Sequence, residues 1–278
     1  MLDDHDAEEL TFLRDEVKRL RRTLNEFTPS LSLMLRRRGF TVFKKEPPAG
    51  LLVPDPAFHG SFYEMLHKYS FRLFLRDIIK HQDRFTLEQL TRYSSARVVR
   101  SYLNYLLEIR LAREGAAGYV LSRRPVTSFG PALEWYIAEL LKREFGAETL
   151  WGVKFRKRKV GGDYDVLAKL DGSLLYIEAK SSPPKQVVES EITAFLDRVE
   201  DMAPDLAVFL MDTELRMKDK IVPMFEHVLA RRHAAPPAVV RLERELFHIG
   251  DRIYIMNAKE SIGRNIGIIV GRYLRNEA

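Results

Sequence analysis

The stretch Gly161-Gly162-Asp163-Tyr164-Asp165-Val166-Leu167, followed closely by Leu174-Leu175-Tyr176-Ile177-Glu178-Ala179-Lys180, constrains this chain more than any other. Asp171-Gly172 separates two apolar-rich runs, and a short Asp-Gly link is a strong hairpin signal. With a two-residue loop, Leu170 faces Ser173, Asp165 faces Glu178, and Asp163 faces Lys180. Facing side chains lie on one side of a sheet, with Cβ atoms about 5 Å apart. Val166, Ala168, Leu175, Ile177 and Ala179 fall on the other side, which is a core face. Two carboxylates and a lysine therefore gather at one end of the hairpin.

Two carboxylates this close repel, and a shared cation is the usual remedy. Oxygen ligands favour Mg²⁺ or Mn²⁺ over zinc. Lys180 lies two residues beyond Glu178 and shares its strand face. This donor set suits hydrolysis of a phosphodiester: the metal makes bound water more acidic, and the lysine positions that water or stabilises the charged transition state.

Asp165, then twelve residues, then Glu178-Ala179-Lys180 resembles the PD-(D/E)XK nuclease superfamily, which includes restriction enzymes and Holliday-junction resolvases. The resemblance implies an α/β fold, a mixed sheet flanked by helices, with Asp165 and Glu178 on Mg²⁺ and Lys180 at the attacking water. Tyr164 stands where the family's proline would precede the aspartate. The superfamily usually adds an acidic residue from a preceding helix. Here Pro131 and Gly146 bracket such a helix. Glu134 falls inside its apolar arc, while Glu139 sits with Lys142 and Arg143 on the polar side. Glu134 is therefore the expected further site residue and metal ligand; the alternative is a glutamate favoured by the helix dipole. Asp163 is the reserve ligand, and Glu189 and Glu191 could extend the site.

The chain of 278 residues has no cysteine, so a thiolate metal site is excluded. Its histidines are scattered without an H-x-x-x-H pair, and no Walker A lysine motif is present. No apolar run approaches the roughly 18 residues that span a bilayer. The N-terminus is acidic, unlike a signal peptide. A cytoplasmic protein without a membrane partner is expected. A net charge of +6 suits a polyanionic partner.

Three regions are expected. In residues 1–50, Leu10, Leu13, Val17, Leu20, Leu24 and Phe27 form a heptad seam that Pro29 ends, which suggests a homodimer zipper or a helix packed on its own domain. Residues 51–125 resemble a winged helix-turn-helix in pattern. A helix from Ser61 to His81 is followed by a second opened by the capping box Thr86-Leu87-Glu88-Gln89. A third runs from Ser95 through Ala112, and Gly118–Ser122 forms a wing strand. In such modules the third helix enters the major groove, where Arg97, Arg100, Ser101 and Asn104 would face DNA. Residues 126–278 are the expected nuclease domain.

Within that domain the basic run Lys154-Phe155-Arg156-Lys157-Arg158-Lys159 suits backbone phosphates. Helices are expected over 183–202, 220–231 and 262–274, and strands over 206–211, 239–242 and 252–256. Gly263, Gly267 and Gly271 suggest close helix packing, against this chain or another subunit. The expected activity is a metal-dependent endodeoxyribonuclease, and by analogy with restriction enzymes acting on modified DNA a role in defence. A nuclease for RNA, branched or single-stranded DNA is one rival; a DNA-binding subunit with an idle nuclease fold is the other.

Overall fold

The computed structural model describes residues 4–44, 50–91, 94–156 and 160–276. The protein is α/β, built on a large mixed sheet flanked by helices. The centre of the sheet is the expected hairpin, β5 (Tyr164–Leu170) and β6 (Ser173–Lys180). Leu170 faces Ser173 and Val166 faces Ile177, which is the two-residue-loop register. Asp171 and Gly172 both take positive φ at the turn.

Outward from β5 lie β4 (Glu148–Phe155) and then β1 (Val42–Lys44), both antiparallel. On the other side β6 runs parallel to β7 (Leu206–Met211), which runs parallel to β10 (Ile253–Asn257). β9 (Leu246–Ile249) and β8 (Val240–Glu243) complete that edge as antiparallel strands. β7 is buried along its whole length, as a continuous apolar run between parallel neighbours should be. Its Leu206, Val208 and Leu210 enter one core, and Ala207, Phe209 and Met211 enter the other.

The first core lies under α6 (Gly130–Phe145) and α9 (Ile262–Asn276) and continues without a break into α3 (His59–Leu66), α4 (Tyr69–Lys80) and α5 (Ala96–Glu108). The second lies under α7 (Glu189–Met202) and α8 (Ile221–Arg232). It also receives Leu31, Met34, Leu35 and Phe40 from α2 (Leu31–Arg37) and its following turn. Residues 31–44 thus pack on the sheet rather than apart from it. On α1 (Asp4–Phe27), Leu10, Leu13, Val17, Leu20 and Leu24 of the apolar seam are exposed.

Several elements differ from the sequence reading. The helix expected over Ser61–His81 is two helices, because Lys68 is extended and the Arg72 guanidinium donates to the freed carbonyls of Leu66 (2.6 Å) and His67 (3.1 Å). The capping box at Thr86 opens a three-residue 3-10 turn, Glu88–Leu90, not a helix. Its Gln89 side chain does accept the Thr86 N–H. α5 stops at Glu108, with Arg110 left-handed, and Ala112–Gly115 is strand β2, paired with β3 (Gly118–Leu121). The helix expected from Pro183 begins only at Glu189, after a 3-10 turn. β9 was not foreseen. The small stripe of α9 lets it approach α6: a Cβ on Gly263 would lie 2.8 Å from a Glu144 oxygen.

One buried charge cluster joins the helical region to the sheet. Asp212, fully buried just beyond β7, accepts from Arg72 Nε at 2.9 Å and from Arg76 Nη2, and its N–H donates to the Lys180 carbonyl at 2.8 Å. Arg72 is 1% exposed, so removing the carboxylate strands a buried cation. Asp212→Ala is expected to lose about 3–5 kcal/mol in urea unfolding. Asp212→Asn, which keeps an oxygen acceptor for the two guanidinium groups, should lose less.

Candidate active site

The hairpin end near Lys180 collects the expected residues. Continuing the β5–β6 register sets Asp165 opposite Glu178, and Asp165 Oδ2 accepts the Ala179 N–H at 2.8 Å. Glu134 approaches from α6: a Cβ on Gly152 would lie 3.6 Å from its Oε2. Gly152 takes a φ of +57° inside β4, a kink that side-chain-bearing residues rarely adopt, and it leaves room for the glutamate. Lys180 Nζ lies 3.0 Å from Glu178 and 3.1 Å from Glu191 of α7.

Glu178 is 2% exposed and is not free. Its Oε1 accepts from Arg198 Nη2 at 2.7 Å and pairs with Lys180; its Oε2 accepts from the Tyr176 hydroxyl. Arg198 Nε donates to the same hydroxyl at 2.8 Å. Gly162, at a φ of +108°, lies over this guanidinium, where a Cβ would come within 3.1 Å of Nη1. The sequence reading missed Arg198 and Tyr176. The available signal was the stripe Glu191, Phe195, Arg198, Met202 on α7, in which an arginine occupies a core-facing position.

The two remaining carboxylates carry the unbalanced charge. Asp165 is pushed well above the usual aspartate range by burial first, then by Glu178 and Glu134; the Ala179 N–H and Lys180 oppose the shift. Burial, then Asp163 and Glu178, push Glu134 up to about 7, again against Lys180. Burial works against a charge on Lys180, but Glu178, Asp165 and Glu191 outweigh it, so its pKa is raised.

Among the described residues, no group of three or more His, Asp or Glu side chains is placed to hold a metal ion. The donor chemistry fits a hard divalent cation at Asp165 and Glu134, oxygen-bearing groups short of positive charge that would give up their protons to the metal. It does not fit at Glu178 while Arg198, Tyr176 and Lys180 hold it. Mg²⁺ is commonly bound by one or two carboxylates with retained waters, so two ligands suffice.

The other expected residues are spread more widely. Asp163 does not face Lys180: the chain has left the ladder, and Asp163 pairs with Lys154 at 2.9 Å. Arg156 is exposed at the end of β4, and Lys157, Arg158 and Lys159 lie outside the described residues. Arg97, Arg100, Ser101 and Asn104 form the exposed face of α5, opposite buried Val99, Tyr102, Leu103 and Leu106. Glu139 pairs with Arg143, and Glu189 with Arg231. No described helix is long and apolar enough to cross a membrane.

No family model and no curated protein matches the chain. The solved structures that are similar, at low identity, include two. One is Can2 from Sulfobacillus thermosulfidooxidans, determined in complex with cyclic tetra-adenylate; identity is 14% and the TM-score 0.47, over 88% of this chain and 60% of that one. The other is VC1899 from Vibrio cholerae, with 12% identity and a TM-score of 0.48, over 87% of this chain and 61% of that one. This chain thus spans about three-fifths of the length of each. Likenesses this distant assign neither activity nor ligand.

The raised carboxylates make stability depend on pH. The folded-state pKa of Glu134 lies above its ordinary value of 4.5, so its stabilising contribution is full below that value and lost as pH rises through about 7. Asp165 acts in the same direction. Urea unfolding of the metal-free protein should show stability falling between about pH 5 and pH 8, by on the order of 2–3 kcal/mol from Glu134. Glu134→Gln should flatten that fall and be the more stable protein at pH 8.

Proposed function

We propose that this chain is a nuclease that hydrolyses phosphodiester bonds of DNA with Mg²⁺ or Mn²⁺. The observation that carries the reading is the gathering of Glu134, Asp165, Glu178 and Lys180 at one hairpin end, with two of the carboxylates short of compensating charge. Asp165 and Glu134 would hold the cation. When bound, it would supply Lewis acidity at a phosphate oxygen and a more acidic bound water.

The chain's own groups have separable roles. Lys180 keeps its proton, so it orients the attacking water by donating to it and stabilises charge developing on the phosphate, rather than removing a proton. Glu178 holds Lys180 in place and is itself fixed by Arg198 and Tyr176. Arg198 is thus a positioning residue. Lys154 on β4 and Arg156 just beyond its end suit backbone phosphates. The exposed face of α5, with Arg97, Arg100 and Asn104, suits duplex DNA, as the third helix of a winged helix-turn-helix would. A role in defence follows only from the family resemblance.

Cleavage of supercoiled plasmid, linear duplex, single-stranded DNA and RNA tests the reading. Duplex DNA should be cut, EDTA should stop cutting, and Lys180→Ala should lower the rate by about 10²–10³-fold. Preferred cutting of RNA or branched DNA would replace the substrate class. Tight DNA binding without cutting of any substrate would favour an idle binding subunit. In a separate binding measurement, Arg97→Ala with Arg100→Ala should weaken duplex binding and reduce its salt slope by about 2.

A further inference from the structure

Helix α1 carries an apolar seam that the described residues leave uncovered. Leu10, Leu13, Val17, Leu20 and Leu24 are between 43% and 63% exposed along a single helix of 24 residues. A contiguous exposed apolar stripe of this kind marks an interaction surface. The spacing sets Leu10, Val17 and Leu24 at position a of a heptad and Leu13 and Leu20 at d. What sits beside the seam identifies the occupant. Glu9 and Glu16 fall at g, and Arg14 and Arg21 fall at e.

We propose that α1 pairs with α1 of a second copy of this chain as a parallel, in-register, two-stranded coiled coil. In a parallel pair, each g position meets the e position of the following heptad on the other helix. Glu9 then meets the e position of Arg14, and Glu16 that of Arg21, and two-fold symmetry repeats both pairs. In an antiparallel pair, g meets g and e meets e, which sets glutamates against glutamates and arginines against arginines. The charge pattern therefore selects both the partner and the direction. β-branched Val17 at a central a position, between Leu13 and Leu20 at d, favours two strands over three.

Charges elsewhere on the helix are compatible with this pairing. Lys18 bonds Asp15 on the outer face, away from the seam. Glu16 bonds Arg19 within the helix and can share its second oxygen across the interface. The exit of the coil is anchored: after Thr28 and Pro29 the Ser30 side chain caps α2, and the Leu31 N–H donates to Glu148 of β4 at 2.7 Å. A parallel pair thus brings both sheets to the same end of the coil. The pairing rests on α1 alone and is independent of the nuclease reading.

The absence of cysteine makes the test direct. The full chain is measured by light scattering over a dilution series, and Leu10→Cys is oxidised in otherwise unchanged protein. The mass should be about twice the 32.3 kDa of one chain, and Leu10→Cys should give a disulfide-linked dimer. An antiparallel pair faces a with d, which sets residue 10 within one turn of the other chain's residue 24 and separates the two position-10 thiols by more than about 20 Å. In a mixture of Leu10→Cys and Leu24→Cys chains, only like-with-like disulfides should form. Leu13→Glu with Leu20→Glu changes exposed positions only; it should leave the fold intact by circular dichroism while giving a single-chain mass and no cross-link. A single-chain mass for the unmodified protein, a mixed disulfide between positions 10 and 24, or an unchanged dimer in the double variant would each overturn the proposal.

Discussion

The structure around the candidate site depends on one buried carboxylate. Glu178 sits near the end of the central strand of a sheet covered on both faces, where an isolated charge could not be kept. Three donors compensate it: the Arg198 guanidinium, the Lys180 ammonium and the Tyr176 hydroxyl. Each is placed by a separate feature of the fold. Tyr176 and Lys180 share a strand face with Glu178 through the period of two. Arg198 comes from α7, on a stripe that also delivers Glu191 to Lys180. The glycines at 152 and 162 leave space where side chains would intrude.

With Glu178 satisfied, the positive charge nearby is largely spent. Burial, and then the neighbouring carboxylates, raise the proton affinity of Asp165 and Glu134 against what Lys180 still offers. The features expected to make the metal-free protein sensitive to pH would also make these two carboxyl groups the seat of the proposed divalent cation. The usual reading of an Asp–Glu-x-Lys hairpin would put the glutamate on the metal. On the proposed reading the division of labour differs: Asp165 and Glu134 would face the cation, while Glu178 holds Lys180. A second cluster, Arg72 and Arg76 on Asp212, reaches the same strand end through the Lys180 carbonyl and ties the helical region to it.

The hairpin was legible because two local signals agree, an Asp-Gly turn and a period-two apolar face, and the observed register follows from them. The buried and exposed faces of α5 were legible for the same reason, from spacing alone. The break between α3 and α4 was not. It depends on Arg72, whose partner Asp212 lies 140 residues away, and no local pattern announces that pairing. β9 was missed because Leu246–Ile249 is short and follows a charged turn in which Arg244 takes a positive φ. Asp163 was expected to face Lys180 because the register was continued past Asp165. The ladder with β6 does not extend that far: Asp163 lies before the start of β5 and pairs with Lys154 instead. Arg198 was legible only as an arginine on a core-facing stripe, a clue that gains meaning once α7 is known to lie over β6.

The most direct test of this division of labour is Mn²⁺ binding, followed by electron paramagnetic resonance without any nucleic acid present. Wild-type protein should bind, Asp165→Asn should lose affinity by about tenfold or more, and Glu178→Gln should stay close to wild type. Equal loss in Glu178→Gln and Asp165→Asn, or no binding by the wild-type chain, would contradict the account.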